Sequence, residues 1–513
     1  MKRIKINTNL NLYFLFTLLF VTVNFFAQKN TSKKPNFIVI LTDDQSWVGT
    51  SFLANPNDQR SKSDYYHTPN MERLANYGMR MTNGYAPAPF CSPTRKSILT
   101  GLTPAKHEYQ KDRDNWTTAF RKQMTIPKIL KLADSNYVTA HFGKWDARYD
   151  HFTPEEMGYD FSDGLTSNNT GGGKSTLSAE GKETPFKMGD AWPKTYDDPK
   201  LIFSLTQRSN DFIEEQTKKN KPFFLYFAPT ISHGPDRLGT KHKGNPLATP
   251  IGFLDKPLDV MPDRATLEQR ISEAGLAQDR TDILWLDDGI GAILNKLKET
   301  GALENTVIFF INDHGVEKGK GTLYDGGIKT VSFAWGPKYF KSGIRSKQLV
   351  SNIDMVPTAL ELAKVDPKKA YKIDGSSMLP LLQGKDKPIH ESLYFEMGAT
   401  RAVIKDGYKY LSFKAPQSIK NKLEKNGKKT THICDKPGGR GSESPALKFY
   451  AKNYFDSDQL YDLSADPKEQ QNLYGEFKNS IKLYDLKKTL QSYVDQVPGT
   501  FPIDLKKPSK LKG

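Results

Sequence analysis

One short segment, Cys91-Ser92-Pro93-Thr94-Arg95, combines residue types that could carry out nucleophilic chemistry. Ser92 is predicted to cap a helix with Pro93 in its first turn, which would place Cys91 at the positive end of the helix dipole. Arg95 then lies one turn along, where its guanidinium could hold a tetrahedral oxyanion. The alternative interpretation, a buried cysteine beside a capped helix, stays open on these residues alone.

Further polar residues follow short apolar runs, at the point where each run ends. The runs are Phe37–Leu41, Val138–Phe142, Phe223–Phe227 and Val307–Ile311. The polar residues that follow them are Asp43 and Asp44, Lys144, His233, and Asp313 with His314. If the runs are neighbouring parallel strands, these side chains meet at one rim, because ligands of open α/β sheets bind beyond the carboxyl ends of the strands.

The three acids at this rim predict a bound cation. Asp43, Asp44 and Asp313 would repel one another at short range, and a cation among them relieves that repulsion. Oxygen donors favour Ca²⁺ or Mg²⁺ over zinc. An Asp-Asp pair after a strand is by itself more often a helix cap or a turn, so the prediction rests on the three acids together.

The elements that must position these residues indicate an α/β fold. Continuous apolar runs alternate with helical patterns at Thr68–Tyr77 and about Thr281–Thr300, which is typical of a mostly parallel sheet sandwiched by helices. Thr68 is predicted to cap the first of these helices, with Pro69 in its first turn. After Pro388 the pattern changes to short alternating runs, with a last helix near Ser480–Gln496. We predict a catalytic domain at 34–387 and a smaller C-terminal α+β domain with an antiparallel sheet at 388–513.

The first 27 residues have the order of a secretory signal peptide. Three basic residues within Met1–Lys5 precede the apolar run Leu12–Val23. About 12 apolar residues are too few to span ~30 Å of hydrocarbon, so no stable membrane anchor is expected. We predict export to the periplasm or the medium.

The composition favours anionic partners and excludes some classes of function. The 513 residues carry a net charge of +16, and removal of the three charges of the leader, which has no acids, leaves about +13. Scattered solvated lysines explain this excess equally well. Nucleic acid is not expected, because the chain is exported and has no recognised binding motif. Two cysteines, Cys91 and Cys434, do not make a disulfide framework.

Taken with its context, the cysteine segment resembles a known signature. Cys91–Arg95 followed by Thr100-Gly101 is similar to the signature of the formylglycine-dependent (type I) sulfatases of the alkaline-phosphatase-like superfamily, whose cysteine is oxidised to formylglycine after synthesis. The supporting segments are Thr68-Pro69-Asn70, Gly143-Lys144-Trp145, the run from Gly319 to Gly327, and Gln459-Leu460-Tyr461-Asp462-Leu463. Their order covers nearly the whole mature chain.

The resemblance implies a role for each residue of the rim. The implied ligands of one Ca²⁺, with Mg²⁺ less favoured, are Asp43, Asp44, Asp313, His314 and oxidised Cys91. The residues implied to hold the sulfate and leaving-group oxygens are Arg95, Lys144, His233 and Lys320. The implied partners are a formylglycine-generating maturation enzyme and a sulfated carbohydrate, either a polysaccharide or its oligosaccharides, with algal polymers as one source and glycosaminoglycans still open.

The chain departs from the family pattern at two positions. Many relatives have asparagine in place of His314, and imidazole is a less usual calcium ligand. Many also have histidine after Gly-Lys-Trp, where this chain has Asp146. We predict that His141 replaces the missing histidine and that Asp146 contacts the substrate.

The implied mechanism needs no water to attack sulfur. One hydroxyl of the hydrated formylglycine attacks sulfur while Asp313 and the metal favour its alkoxide form, and His233 protonates the departing sugar oxygen. Loss of the second hydroxyl proton then expels sulfate. Two alternatives stay open: a phosphate mono- or diester hydrolase, which would be expected to carry Ser or Thr at the position of Cys91, and a non-catalytic binder of sulfated glycans.

Overall fold

The structure is a computed structural model and describes residues 33–508 except 65, 108–119, 147–152, 164–175, 178–182, 185–201, 232, 234–246, 250–251, 254–255, 276–281, 367–371, 415–416, 418–420, 422–424 and 426–443. The predicted leader at 1–27 and Cys434 lie outside the described residues. The described residues from Pro35 onwards form one compact unit. The division into domains at 34–387 and 388–513 stays a prediction.

The strands fall into one large sheet, one smaller sheet and two short ladders. In chain order they are β1 (Asn36–Thr42), β2 (Met79–Tyr85), β3 (Val138–Gly143), β4 (Phe161–Asp163), β5 (Thr176–Leu177), β6 (Glu183–Thr184), β7 (Phe223–Ala228), β8 (Ala248–Thr249), β9 (Gly252–Phe253), β10 (Thr306–Asn312), β11 (Ser332–Trp335), β12 (Ile344–Ser351), β13 (Ser392–Met397), β14 (Thr400–Lys405), β15 (Tyr408–Phe413) and β16 (Asp458–Asp462). The short ladders pair β5 with β6 and β8 with β9.

The large sheet has eight strands in the order β12-β2-β11-β10-β1-β7-β3-β4. Every neighbouring pair is parallel except the two pairs that include β11, so only β11 runs against the others. The four predicted strands are β1, β3, β7 and β10, and each lies within one residue of its predicted bounds. The prediction of a mixed, mostly parallel sheet is confirmed.

The central strands end level with one another, which creates the predicted rim. Thr42 of β1 lies opposite Asn312 of β10, and Gly143 of β3 lies opposite Ala228 of β7. The residues that follow these strands therefore leave the sheet at one edge. This register brings residues more than 260 positions apart in the chain to the same place.

Helices cover both faces of the large sheet. The α-helices are α1 (Pro69–Tyr77), α2 (Cys91–Thr100), α3 (Ile126–Ala133), α4 (Ile202–Lys218), α5 (Leu267–Glu273), α6 (Asp282–Glu299), α7 (Asp325–Ile328), α8 (Met355–Leu362), α9 (Leu379–Leu382), α10 (Ser444–Phe449), α11 (Tyr474–Phe477) and α12 (Ile481–Val494). One face packs against α1, α4 and α6. The other packs against α2, α3 and α8, which is the face that carries Cys91.

A four-stranded antiparallel sheet forms the C-terminal part, in the order β13-β14-β15-β16. One of its faces packs against α12. Its other face packs against Tyr324 and Ile328, which come before the C-terminal sheet in the chain. The predicted antiparallel sheet and terminal helix are confirmed, and the helix begins after Ser480, whose side chain accepts a hydrogen bond from the amide of Leu483.

The start of α1 shows that one predicted cap is wrong. Thr68 precedes the helix, but its hydroxyl oxygen accepts a hydrogen bond from the amide of Ser51 instead of capping. The helix is capped by Asp287 of α6 instead. The carboxylate of Asp287 accepts hydrogen bonds from the amides of Asn70 and Met71 at 2.9 and 2.8 Å. A side chain 217 residues away caps this helix because α1 and α6 pack side by side.

Removing this distant cap should destabilise the protein. We expect Asp287→Ala to lower the free energy of unfolding by about 2–4 kcal/mol, because it leaves two helix amides without acceptors. Asp288→Ala is the matched control: Asp288 is buried, but its partner Arg270 is partly exposed and can be solvated once the carboxylate is removed, so the loss should be smaller, about 1–2 kcal/mol. Denaturant unfolding measures both, and equal losses would contradict the role assigned to Asp287.

Among the described residues, no helix is long and apolar enough to cross a membrane.

Candidate active site

Cys91 occupies the first turn of α2, directly after an extended residue at Phe90. The predicted cap at Ser92 is wrong: Ser92 already lies inside the helix, and its hydroxyl has no hydrogen-bond partner among the described residues. The prediction that Cys91 stands at the positive end of the helix nevertheless holds. Its thiol is free and buried, and burial raises the pKa of the Cys91 thiol. An unmodified thiol here is therefore a poor nucleophile at neutral pH.

The three predicted carboxylates converge above Cys91. Asp43 follows β1 and lies 3.6 Å from the sulfur of Cys91. Asp44 adopts a left-handed backbone conformation with φ 56°, which is sparsely populated outside glycine and recurs at functional sites. Its amide donates a hydrogen bond to Asp313 Oδ1 at 3.2 Å. This hydrogen bond links the loop after β1 to the loop after β10.

Arg95, Lys144 and Lys320 balance these three acids. Arg95 lies 3.3 Å from Asp43 and 3.2 Å from Asp313. The ammonium of Lys144 lies 2.9 Å from Asp43 Oδ1. The centre therefore carries three acids and three permanent cations, so an added divalent cation would make it net positive and suited to an anionic ester.

Lys320 is the third of these cations and lies on a different loop, after β10. Its ammonium donates to Asp44 Oδ1 at 2.7 Å. Burial alone would lower the pKa of Lys320, but Asp44 and the other charges of the site raise it, so the side chain is charged.

The acids differ in how well their charge is compensated. Burial opposes the ionisation of all three. The neighbouring ammonium and guanidinium groups nevertheless hold the pKa of Asp43 well below its usual range, and His314 and Lys320 lower the pKa of Asp44. Burial raises the pKa of Asp313 in spite of its basic neighbours. A cation bound here would therefore favour the ionised form of Asp313.

His314 faces the same centre. Its Nδ1 lies 2.9 Å from the carbonyl oxygen of Gly315, which turns Nε2 towards the acids. Nε2 lies 3.1 Å from Asp44 Oδ1 and 3.2 Å from the sulfur of Cys91. Burial alone would lower the pKa of His314, but Asp313 and Cys91 raise it well above its usual value.

The five predicted metal ligands form one cluster. Ligand atoms of Asp44, Cys91 and His314 lie within 4.8 Å of one another, and so do those of Asp43, Cys91 and Asp313. Three carboxylates in this space, of which Asp43 and Asp313 are fully buried, fit a hard divalent cation such as Ca²⁺ or Mg²⁺. The imidazole is the one donor that departs from an all-oxygen set.

His233 and Asp146 lie at the exposed side of the cluster. His233 Nε2 is 3.6 Å from Asp44 Oδ2, and burial lowers the pKa of His233. Asp146 Oδ2 lies 3.5 Å from the ammonium of Lys144, and a quarter of its side chain is exposed. Asp146 is thus paired with a cation, which removes the repulsion that a bare carboxylate would exert on sulfate.

His141 lies deeper, on the same face of the sheet as α2. Its ring is stacked on Tyr226 and contacts Trp145 and Tyr159 edge-on. Among the described residues, its Nε2 has no hydrogen-bond partner. Burial lowers the pKa of His141 to about 3, so the ring is neutral at physiological pH and only weakly basic.

The sequence analysis assigned no positioning role to two residues that shape the site, Asn312 and Gly143. Asn312 accepts hydrogen bonds from the hydroxyl of Thr42 and the amide of Gln45, which ties the loop after β1 to β10. Gly143 has φ 123°, and a Cβ there would lie 2.1 Å from the carbonyl oxygen of Ala228. Only glycine allows this close approach, which turns Lys144 across β7 towards Asp43. The position of Asn312 directly before Asp313 was the sequence feature that could have indicated its role.

The fold and the acid-rich, cation-lined rim define an alkaline-phosphatase-like hydrolase. Residues 35–365 match the family described as Sulfatase, and residues 314–420 match the C-terminal family of N-sulphoglucosamine sulphohydrolase. The first match covers more than half of the chain. The chain belongs to the sulfatase family, and it is an enzyme of the sulfuric ester hydrolase class.

Curated relatives agree with this assignment. The chain is 26% identical over 413 residues to N-acetylgalactosamine-6-sulfatase of Mus musculus, with 73% of this chain and 71% of the relative covered. It is 25% identical to N-acetylglucosamine-6-O-sulfatase of Bacteroides thetaiotaomicron, with 95% and 90% covered.

Solved structures share the fold. A sulfatase from Pseudoalteromonas sp. superposes with a TM-score of 0.63 at 20% identity, covering 94% of this chain and 95% of that one. A protein solved with its substrate D-glucosamine-2-N,6-O-disulfate gives 0.58 at 21% identity, covering 90% and 98%. One solved with k-i-k-neocarrahexaose gives 0.59 at 20% identity, covering 90% and 92%.

Proposed function

We propose that this enzyme is an exported, calcium-dependent sulfatase that removes sulfate from a sulfated carbohydrate through a formylglycine made from Cys91. The observation that carries the proposal is the position of Cys91: it lies at the start of α2, within reach of the clustered acids and beside Arg95. Export rests on the leader-like residues 1–27 and stays a proposal.

Each residue of the site would have a separate role in the reaction. A maturation enzyme with its own oxidant would convert Cys91 to formylglycine with loss of the sulfur, and addition of water to the aldehyde would give a diol whose hydroxyl can attack the sulfur of the ester. Arg95, Lys144 and Lys320 would hold the sulfate oxygens and offset the charge that develops on them. His233, at the exposed side, would give a proton to the departing sugar oxygen as the sulfur–oxygen bond breaks.

The cation would be held by Asp43, Asp44, Asp313 and His314 with residue 91. It would supply Lewis acidity at residue 91 that favours a deprotonated hydroxyl there. Its charge would favour the ionised form of Asp313, whose pKa burial raises. The same charge draws an anionic ester into the site.

We propose that His141 accepts the proton of the late elimination step and that Asp146 contacts the substrate. His141→Ala should lower kcat by about 10- to 100-fold and accumulate a sulfated enzyme, because it removes the imidazole proposed to accept this proton. Asp146→Ala should mainly raise KM. Steady-state kinetics and mass spectrometry of quenched enzyme measure both, and a near-normal kcat for His141→Ala would reject the assignment.

The names and bound saccharides of related proteins indicate which substrates to test. Two curated relatives are named for 6-sulfated N-acetylhexosamines, and one related structure holds a 6-O-sulfated glucosamine. Another holds a neocarrahexaose, which keeps algal polymers in the set. We propose a sulfated saccharide of one of these two groups as the substrate.

A screen of defined sulfated oligosaccharides from both groups tests the proposal. Release of inorganic sulfate, with NMR of the product, identifies the substrate and the sulfate position. Matched phosphate mono- and diesters serve as the comparison. Faster hydrolysis of phosphate esters would favour the phosphatase alternative, and tight binding without turnover by matured enzyme would favour a non-catalytic binder.

A further inference from the structure

The loop that carries Lys320 is folded backbone against backbone. This loop, residues 315–327, is here named the Lys320 loop. A Cβ on Gly326 would lie 2.2 Å from the carbonyl oxygen of Glu317, and one on Gly319 would lie 2.5 Å from the carbonyl carbon of Gly326. The amide of Gly315 also donates to the carbonyl oxygen of Gly327 at 2.9 Å. The start of the loop beside His314 therefore cannot move independently of its end.

The end of the loop is anchored by a buried charge in the C-terminal sheet. Lys409 of β15 is fully buried, and its ammonium donates to Asp325 Oδ1 at 2.6 Å. It also pairs with Glu469 at 2.7 Å. The amide of Asp325 in turn donates to the other carboxylate oxygen of Glu469, and the hydroxyl of Tyr85 donates to Asp325 Oδ2.

A second contact anchors the neighbouring residue. The hydroxyl of Tyr324 donates to Gln459 of β16 at 2.8 Å, and its ring stacks on Tyr450 with centroids 3.8 Å apart. These contacts join two segments that resembled the sulfatase family at the sequence level, the run from Gly319 to Gly327 and the run from Gln459 to Leu463. Neither contact touches the acids of the site.

Burial of these charges is costly, and this points to a role other than stability alone. Burial alone would lower the pKa of Lys409, but Asp325 and Glu469 raise it, so the ammonium is charged. A buried ion pair is often no more stabilising than a well-packed apolar set, but it fixes one arrangement of the groups around it. Here that arrangement sets the end of the Lys320 loop.

We propose that Lys409 is a positioning residue for sulfate hydrolysis: by holding Asp325 it keeps the Lys320 loop in place and so sets Lys320 beside Asp44. The inference rests on the proposed function, in which Lys320 holds sulfate. It gives the C-terminal sheet a role in the reaction, since the anchoring groups lie on β15 and just beyond β16.

Lys409→Met tests the inference, because methionine keeps much of the length of the side chain and removes its charge. We expect kcat/KM for sulfate release to fall about 10- to 100-fold, as displacement of a catalytic group by about 1 Å costs on this scale. Lys405→Met is the matched control: Lys405 lies on the neighbouring strand and pairs with the half-exposed Asp485. It should stay within about 2-fold of the wild type.

A double-mutant cycle with Lys320→Met separates positioning from general destabilisation. If Lys409 acts through Lys320, Lys409→Met should change kcat/KM by less than about 2-fold once Lys320 is replaced. Equal losses in both backgrounds would overturn the inference while leaving the proposed function intact. A wild-type enzyme that hydrolyses no sulfate ester would overturn the proposed function and this inference with it.

Tyr324→Phe keeps the test decisive if Lys409→Met does not fold. It removes only the hydroxyl that bonds Gln459 and preserves the ring. We expect a loss of about 3- to 10-fold in kcat/KM that disappears when Lys320 is replaced. An additive loss, or no loss, would count against anchoring of the loop by the C-terminal sheet.

Discussion

Cys91→Ala is expected to lower the rate of sulfate release by about 10⁴-fold or more, because loss of a nucleophile removes the whole covalent route. The fold should survive. The sulfur contacts polar groups, Asp43 and His314, and its removal costs little apolar packing. Kinetics with the best substrate of the screen, together with thermal unfolding, measure both effects.

The modification itself needs a separate measurement. Mass spectrometry of the peptide that contains residue 91 should show formylglycine in active wild-type enzyme. Cys434→Ala, which changes the other cysteine of the chain, is the matched control and should keep full activity. Active protein that contains only unmodified cysteine at position 91 would contradict the proposed mechanism.

Removal of the divalent cation is expected to abolish activity, and added Ca²⁺ should restore it. The physical reason is the cluster of three acids, of which Asp43 and Asp313 are fully buried. Binding should also stabilise the fold, by about 3 kcal/mol at a free cation concentration of 100 Kd. Thermal unfolding with Ca²⁺, Mg²⁺ and Zn²⁺ therefore reports binding independently of turnover.

Asp313→Asn should remove the stabilisation by Ca²⁺ and lower activity by about 10³-fold, since it keeps the shape of the side chain and removes its charge. Asp288→Asn is the control, because Asp288 is a buried carboxylate that pairs with Arg270 instead of facing the site. It should keep the calcium response. Full activity in metal-free wild-type enzyme would refute the proposed ligand set, and a larger response to Zn²⁺ would reassign the metal.

Much of the site was predictable because strand ends are local features of the sequence. Continuous apolar runs predict buried parallel strands, and the polar residues that follow them must leave at the carboxyl edge. Asp43, Asp313 and Lys144 were found in this way. His233 was also found, although it lies five residues beyond β7 and reaches the cluster only at its exposed side.

The sequence could not predict the hydrogen-bond partners of several polar side chains. Ser92 was expected to cap α2, but the helix starts two residues earlier, at Cys91, and the hydroxyl of Ser92 is left without a described partner. Thr68 was expected to cap α1, but the cap comes from Asp287. Capping propensity describes a residue and its neighbours, whereas a hydrogen bond also depends on which helices pack together.

The sequence by itself determined the class of fold, the ends of the central strands and the residue types at the rim, because these follow from short runs of hydrophobicity. Only the tertiary structure decided that Lys144 crosses β7 to reach Asp43, and that Lys409 holds the loop of Lys320 from another sheet. Such pairs depend on strand order and register, which join residues about 80 to 270 positions apart, and no local pattern encodes that distance.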